Sequence, residues 1–263
     1  MRFEHWGKSG GSLLFCLHGF MGTGLDWHEF AERFLAIVPD WQVAAPDLHS
    51  FDGRCPTLSE IRDCLEHHAA ECNAPKTLLM GYSMGGRLAL EITLDAPAAF
   101  SGFIGVSTTA GIENSKEREE RRLSDLGLAA RLRAMASRDE FQNFLRSWWE
   151  QPVFHSPRND QSALEKFIST RLDLSPARLA ASLDAWSVGV LSDQWSRLEN
   201  LNLPVLLLAG ECDKKYSALA RRMAADLPMA SARIIPGTGH RLPAEAPQEL
   251  AVDIAAFIEK LPI

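Results

Sequence analysis

Apolar residues along the chain fall into two rhythms. Short runs bounded by turn residues, too brief for helices, occur at 13–17, 42–45, 77–80, 103–106, 205–209 and 233–235, and they predict buried parallel strands. Between them lie helix-period segments at 26–35, 58–72, 85–95, 218–227 and 247–260. This alternation predicts an α/β fold, a mostly parallel doubly wound sheet with helices on its faces. The rhythm breaks once. From residue 111 to 201 no strand pattern recurs, and only helical stretches appear, near 116–136, 139–149, 163–172 and 176–187. The expected organisation is therefore a core of residues 1–110 and 202–263 with a helical cap, 111–201, inserted into it. Ligands of open α/β sheets bind beyond the carboxyl ends of the strands, so an insertion following a strand that ends at Val106 is placed to roof a site. No internal repeat or low-complexity tract is present.

Composition narrows the partners. Hydrophobic residues make up 46 % and charged residues 23 % of the 263, a globular balance that excludes disorder throughout. The net charge of −7 gives no basic surface for nucleic acid or an anionic membrane, so an anionic ligand must be held locally. Five cysteines, an odd set without a CxxC pair, suggest neither a disulfide framework nor a zinc ribbon, and fit free thiols in a reducing cytosol. The first residues lack the basic-then-apolar order of a secretory signal, and no apolar run approaches the ~20 residues of a membrane span. A cytoplasmic location, without membrane insertion, is expected. No protein partner can be read from the residues.

Gly81-Tyr82-Ser83-Met84-Gly85 follows one apolar strand and precedes a helix pattern. A Gly-x-Ser-x-Gly in that setting predicts a nucleophile elbow, a strained strand-to-helix turn presenting the serine hydroxyl at the end of the sheet. A serine at its free pKa is a weak nucleophile or base and needs a histidine oriented by a carboxylate. Candidates follow in the chain order serine, acid, histidine: Asp213, after the strand 205–209, and His240, after the strand 233–235. Glu211 is the rival acid. His18-Gly19-Phe20 follows the first strand, and the backbone N–H groups of Phe20 and Met84 are the candidate oxyanion donors, with His18 read as structural.

Between residues 116 and 138, seven basic residues face four acids. Most of these belong to a solvated helix face laced by i, i+4 pairs, but two or three can turn inward. Arg87, one helical turn past Ser83, is a candidate for the same cavity, where arginine suits bidentate recognition of carboxylates. Trp148 and Trp149 read either as packing within the cap or as a wall of the pocket.

Gly-Tyr-Ser-Met-Gly-Gly-Arg at 81–87, Glu-Arg-Arg-Leu-Ser-Asp at 120–125 and Trp-Trp-Glu-Gln-Pro-Val-Phe at 148–154, together with the motifs around 17–20, 210–213 and 239–240, resemble the 2-succinyl-6-hydroxy-2,4-cyclohexadiene-1-carboxylate synthases. That family lies within the α/β-hydrolase superfamily, and the resemblance runs over nearly the whole chain. It implies an α/β-hydrolase fold and a lyase of menaquinone or phylloquinone biosynthesis that eliminates pyruvate from 2-succinyl-5-enolpyruvyl-6-hydroxy-3-cyclohexene-1-carboxylate, without metal or cofactor. Carried over residue by residue, it implies Ser83, Asp213 and His240 as the triad and the amides of Phe20 and Met84 as the oxyanion hole. It also implies Tyr82, Arg87, Arg121, Trp148 and Arg171 as contacts for a small substrate bearing several carboxylates. One departure is the segment 47–53, Asp-Leu-His-Ser-Phe-Asp-Gly, where many relatives carry Asp-Leu-Pro-Gly-His-Gly; a rerouted loop is expected there. The triad alone leaves other readings open, because one fold hosts many reactions. A hydrolase of an ester, thioester or carbon–carbon bond is the chief alternative, and a non-catalytic small-molecule receptor is the other.

Overall fold

Seven strands form in the computed structural model, which describes residues 1–50 and 54–261. They are β1 (Arg2–Gly7), β2 (Ser12–Leu17), β3 (Trp41–Asp47), β4 (Thr77–Tyr82), β5 (Gly102–Val106), β6 (Val205–Gly210) and β7 (Ala230–Ile235). Their order across one sheet is β1-β3-β2-β4-β5-β6-β7. All neighbours run parallel except β1, which pairs antiparallel with β3. The continuous apolar runs of β4, β5 and β6 are explained by their central places, where helices cover both faces. Only the two edge strands, β1 and β7, keep exposed positions along their length.

Because successive strand residues point to opposite faces, each strand feeds two cores. Leu13, Phe15, Leu79, Phe103 and Leu207 pack on one face with α2 (Leu58–Glu71), α3 (Met84–Asp95) and α8 (Lys214–Asp226). Leu14, Cys16, Met80, Ile104 and Leu208 pack on the other with α1 (His28–Ile37) and α9 (Pro247–Ile258). Between β5 and β6 the chain forms α4 (Ser115–Arg133), α5 (Arg138–Trp149), α6 (Gln161–Ser169) and α7 (Pro176–Trp186), and no strand. Each of these four helices starts at a side-chain cap, Asn114, Ser137, Asp160 and Ser175, that satisfies otherwise unpaired amides. Their apolar faces form a third cluster around Leu132, Phe144, Phe167 and Leu179. The segment leaves and returns at one place, where Gln194 N–H donates to the Ala110 carbonyl at 2.6 Å and the Trp195 indole N–H to that of Gly111 at 3.1 Å.

Of the atypical segment 47–53, residues 51–53 lie outside the described residues. The part before them turns tightly: Ser50 N–H returns to the Asp47 carbonyl at 3.0 Å, and His49 is buried. Among the described residues no helix is long and apolar enough to cross a membrane.

Candidate active site

Ser83 sits between β4 and α3 with φ 52° and ψ −111°, a conformation that strains a non-glycine residue. The flanking glycines make the turn sterically feasible. A Cβ at Gly81 would collide with the Gly85 carbonyl, and one at Gly85 with the carbonyls of Leu17 and His18. The elbow thus rests directly on the end of β2, and the loop after β2 carries Phe20 to the same rim.

Ser83 Oγ lies 3.1 Å from His240 Nε2, and His240 Nδ1 lies 2.6 Å from Asp213 Oδ2. With the proton on Nδ1 donated to Asp213, Nε2 is left to accept from the serine hydroxyl. Asp213 and His240 are both buried. The other oxygen of Asp213, Oδ1, accepts the Tyr216 N–H at 3.3 Å and caps α8, which fixes the carboxylate's direction. Glu211, the rival acid, is exposed and accepts the Gly237 N–H at 3.0 Å instead. His18 is buried between the Gly19 carbonyl at 2.9 Å and the Leu48 N–H at 3.1 Å, its pKa lowered by burial. A neutral imidazole with both nitrogens engaged matches the structural reading. Met84 begins α3, so its amide is among those a helix start leaves unpaired, and Phe20 and Met84 both line the cavity above Ser83.

That cavity, about 880 Å³, also collects Tyr82, Arg87, Arg121, Trp148 and Arg171. The arginines differ in what balances them. Arg121 Nε donates to the buried Asp125 carboxylate at 2.8 Å, which accepts the Ser187 hydroxyl as well at 2.5 Å. Arg171 donates to Asp26 at 2.8 Å across the gap between the inserted helices and the core, and stacks on Phe167 at 4.6 Å. Arg87 makes one long bond, 3.4 Å, to the Trp186 carbonyl; its Nε is buried without a partner. Burial, with Arg121 nearby, pushes its pKa down to about 10. Burial raises the Tyr82 hydroxyl well above its usual range, so it stays a neutral donor. Trp148 serves both of its expected uses, meeting Phe20 edge-on at 5.4 Å while packing near Phe144 at 5.8 Å.

Two residues escape the sequence reading. Arg241, next to His240, lies over the Trp149 ring at 4.2 Å and over Phe167 at 5.2 Å, lines the cavity, and has its pKa pushed down to about 10 by burial. Glu245 braces the histidine loop, accepting the N–H groups of Gly239 at 2.6 Å and Arg241 at 3.0 Å on either side of His240. Neither follows a motif; both depend on contacts with the inserted helices, as Ser156 donates to Glu245 at 2.5 Å. Other basic residues of the 116–138 stretch do not line the cavity and are paired: Arg122 with Glu119 at 2.7 Å, Arg118 with Asp193 at 3.7 Å, Arg133 with Asp184, and Arg138 at 2.9 Å with Asp173, which sits on the cavity's rim.

The family model described as the alpha/beta hydrolase family matches residues 14–254. The chain belongs to the α/β-hydrolase family. Among curated members, the 2-succinyl-6-hydroxy-2,4-cyclohexadiene-1-carboxylate synthase of Citrobacter koseri is 32 % identical over 256 residues, covering 96 % of each chain. The enzyme of the same name from Escherichia coli O157:H7 is 31 % identical over the same length, again covering 96 % of each. A solved structure of MenH from S. aureus superposes with a TM-score of 0.87 at 26 % identity, covering 98 % of both chains. A thermophilic esterase from Thermogutta terrifontis gives 0.76 at 23 % identity, over 99 % of this chain and 93 % of the other, and shares the α/β-hydrolase fold. The family resemblance read from the motifs around the elbow, α4 and residues 148–154 is therefore met by relatives aligned over almost the full length.

Proposed function

We propose that this α/β-hydrolase member is a carbon–oxygen lyase that releases pyruvate from 2-succinyl-5-enolpyruvyl-6-hydroxy-3-cyclohexene-1-carboxylate and forms the cyclohexadiene for which its relatives are named. One observation carries the reading beyond those names: the serine–histidine–aspartate line opens into a cavity lined by two largely buried guanidinium groups, Arg87 and Arg241, that form no ion pair with a carboxylate among the described residues. A buried cation without a partner is costly, and a substrate with several carboxylates supplies what these groups lack. A neutral ester would leave them uncompensated.

In this mechanism His240 Nε2 takes the Ser83 proton, and the Ser83 oxygen removes the substrate proton α to the succinyl carbonyl. The electrons move onto the carbonyl oxygen, where the Phe20 and Met84 amides stabilise the dienolate. They then return through the ring, the enolpyruvyl carbon–oxygen bond breaks, and the leaving enolate takes a proton to become pyruvate. Asp213 holds the imidazolium that forms. Arg87 and Arg121 bind carboxylates on the α3 side of the cavity, while Arg171 and Arg241 do so on the side of Phe167. Helices α4–α7, residues 111–201 with their connections, act as the cap that excludes water, and Trp148 closes over the elbow.

Purified protein incubated with the enolpyruvyl substrate should release one pyruvate per substrate consumed and leave no adduct on Ser83 by mass spectrometry. Accumulation of a Ser83 acyl species without pyruvate would reassign the chain to the ester or thioester hydrolases and leave the fold untouched.

A further inference from the structure

On the rim of the sheet opposite Ser83, three metal-ligating side chains converge. His5 lies on edge strand β1, and His68 and Cys72 lie one turn apart at the end of α2. His5 Nδ1 stands 3.3 Å from His68 Nε2 and 3.9 Å from Cys72 Sγ, and all three donor atoms fall within 4.8 Å of one another. Around a tetrahedral zinc ion with ordinary bond lengths, two imidazole nitrogens sit about 3.3–3.4 Å apart, and a nitrogen and a thiolate about 3.6 Å. The imidazole pair already has that spacing, the thiol sulfur is a few tenths of an ångström beyond it from His5, and it lies within 4.8 Å of His68.

The donors are held from outside as metal ligands are. The Cys72 carbonyl accepts Gly10 N–H at 2.9 Å and the Ser9 hydroxyl at 3.0 Å, fixing the backbone beneath the thiol. Phe3 stacks on the His68 ring at 4.0 Å with 5° between planes, and Glu71 Oε2 approaches its far nitrogen, Nδ1, at 4.0 Å. A carboxylate behind a ligating histidine is the usual outer-shell partner of a zinc site. The fully buried Gln42 on the neighbouring strand leaves its Oε1 without a hydrogen bond. None of these residues lines the catalytic cavity.

We infer that His5, His68 and Cys72 form a binding site for a borderline divalent transition-metal ion, zinc by class, which clasps edge strand β1 to α2. Two imidazoles and one thiolate suit zinc and exclude magnesium or calcium, which take oxygen ligands. Binding breaks the Cys72 S–H bond, forms a metal–sulfur bond and releases the thiol proton to solvent; water completes the fourth position.

The test uses cobalt(II) as a spectroscopic probe on the full, reduced chain. One equivalent should bind with the thiolate-to-cobalt charge-transfer band, and zinc should displace it. Cys72→Ser should abolish the band, whereas Cys55→Ser and Cys64→Ser should keep it. His5→Ala, on an exposed strand position, should weaken cobalt binding by at least about tenfold and should leave pyruvate release unchanged. Zinc should raise Tm in the wild type and not in His5→Ala. No saturable cobalt binding, a band that survives Cys72→Ser, or unaltered affinity in His5→Ala would each overturn the site and reduce the pair to a histidine–histidine hydrogen bond.

Discussion

Replacing Arg87 by Met should make the protein more stable and much less active. The guanidinium is held at a pKa of about 10, well below its ordinary value, with burial as the main cause. At 1.36 kcal/mol per pK unit that depression corresponds to about 3 kcal/mol of unfavourable solvation. Its compensation inside the protein is one long bond to the Trp186 carbonyl, 3.4 Å, while Nε has no partner. Met has similar length and no charge. Exchanging a poorly compensated, largely buried cation for it should therefore stabilise the fold by about 1–3 kcal/mol, raising Tm by about 2–6 °C for a chain of this size. The same exchange removes a desolvated charged hydrogen bond to substrate. That should cost about 2–4 kcal/mol in kcat/KM, roughly 30- to 1000-fold, mostly in KM if ground state and transition state are held alike. Calorimetry and a continuous pyruvate assay on the same preparation read both quantities. A lower Tm with near-normal kcat/KM would show that Arg87 supports the fold and does not bind substrate.

Asp213→Asn should lower kcat by about 10⁴-fold, since the histidine tautomer is no longer fixed, yet shift stability by under about 1 kcal/mol because Asn still caps α8; stopped assays and urea unfolding separate the two. Ser83→Ala and Ser83→Gly should both lose at least about 10³-fold in kcat, but the glycine variant should be about 1 kcal/mol more stable than the alanine one, because it relieves φ 52°; equal melting temperatures would contradict strain at the elbow. Burial pushes the His49 imidazole down to about 3, so the unfolded chain takes up a proton near pH 6.5 that the native state refuses, and stability falls as pH drops through that window. Between pH 6.5 and 5 this amounts to about 2 kcal/mol, and His49→Leu should flatten the loss by that much in urea titrations at pH 7 and 5; parallel losses in both proteins would clear His49.

Five of the seven strands are legible because interior strands are apolar on both faces and end at turn residues, and of the edge strand β7 only the end, 233–235, shows, since its start at Ala230 alternates with exposed positions. Strand β1 is not legible. Its residues, Arg-Phe-Glu-His-Trp-Gly, alternate at an edge without a buried run, and only pairing with β3 makes them a strand. That same pairing carries β3 on to Asp47 through Pro46, where the apolar run alone suggested an end at Ala45. Helix α8 starts at Lys214, four residues before the periodic segment, because Asp213 supplies the cap. At the site, the elbow and the two strand-end residues were readable since each is announced by its neighbours in sequence. The balance among the arginines was not. Arg171 is answered by Asp26, 145 positions away, and Arg241 is buried by Trp149 and Phe167, which no local spacing connects to it.

The elbow's seating has a consequence for how such a protein can change over generations. Gly85 packs against the carbonyls of Leu17 and His18, so serine, helix amide and the loop bearing Phe20 are parts of one joint that cannot be altered piecemeal. The cavity's cations stand on separate helices and loops: Arg121 and Arg171 are held by their own carboxylates and Arg241 by its rings, while Arg87 has only the Trp186 carbonyl. Descendants can therefore trade one anionic substrate for another by moving an arginine at a time, while the proton-transferring joint is inherited whole.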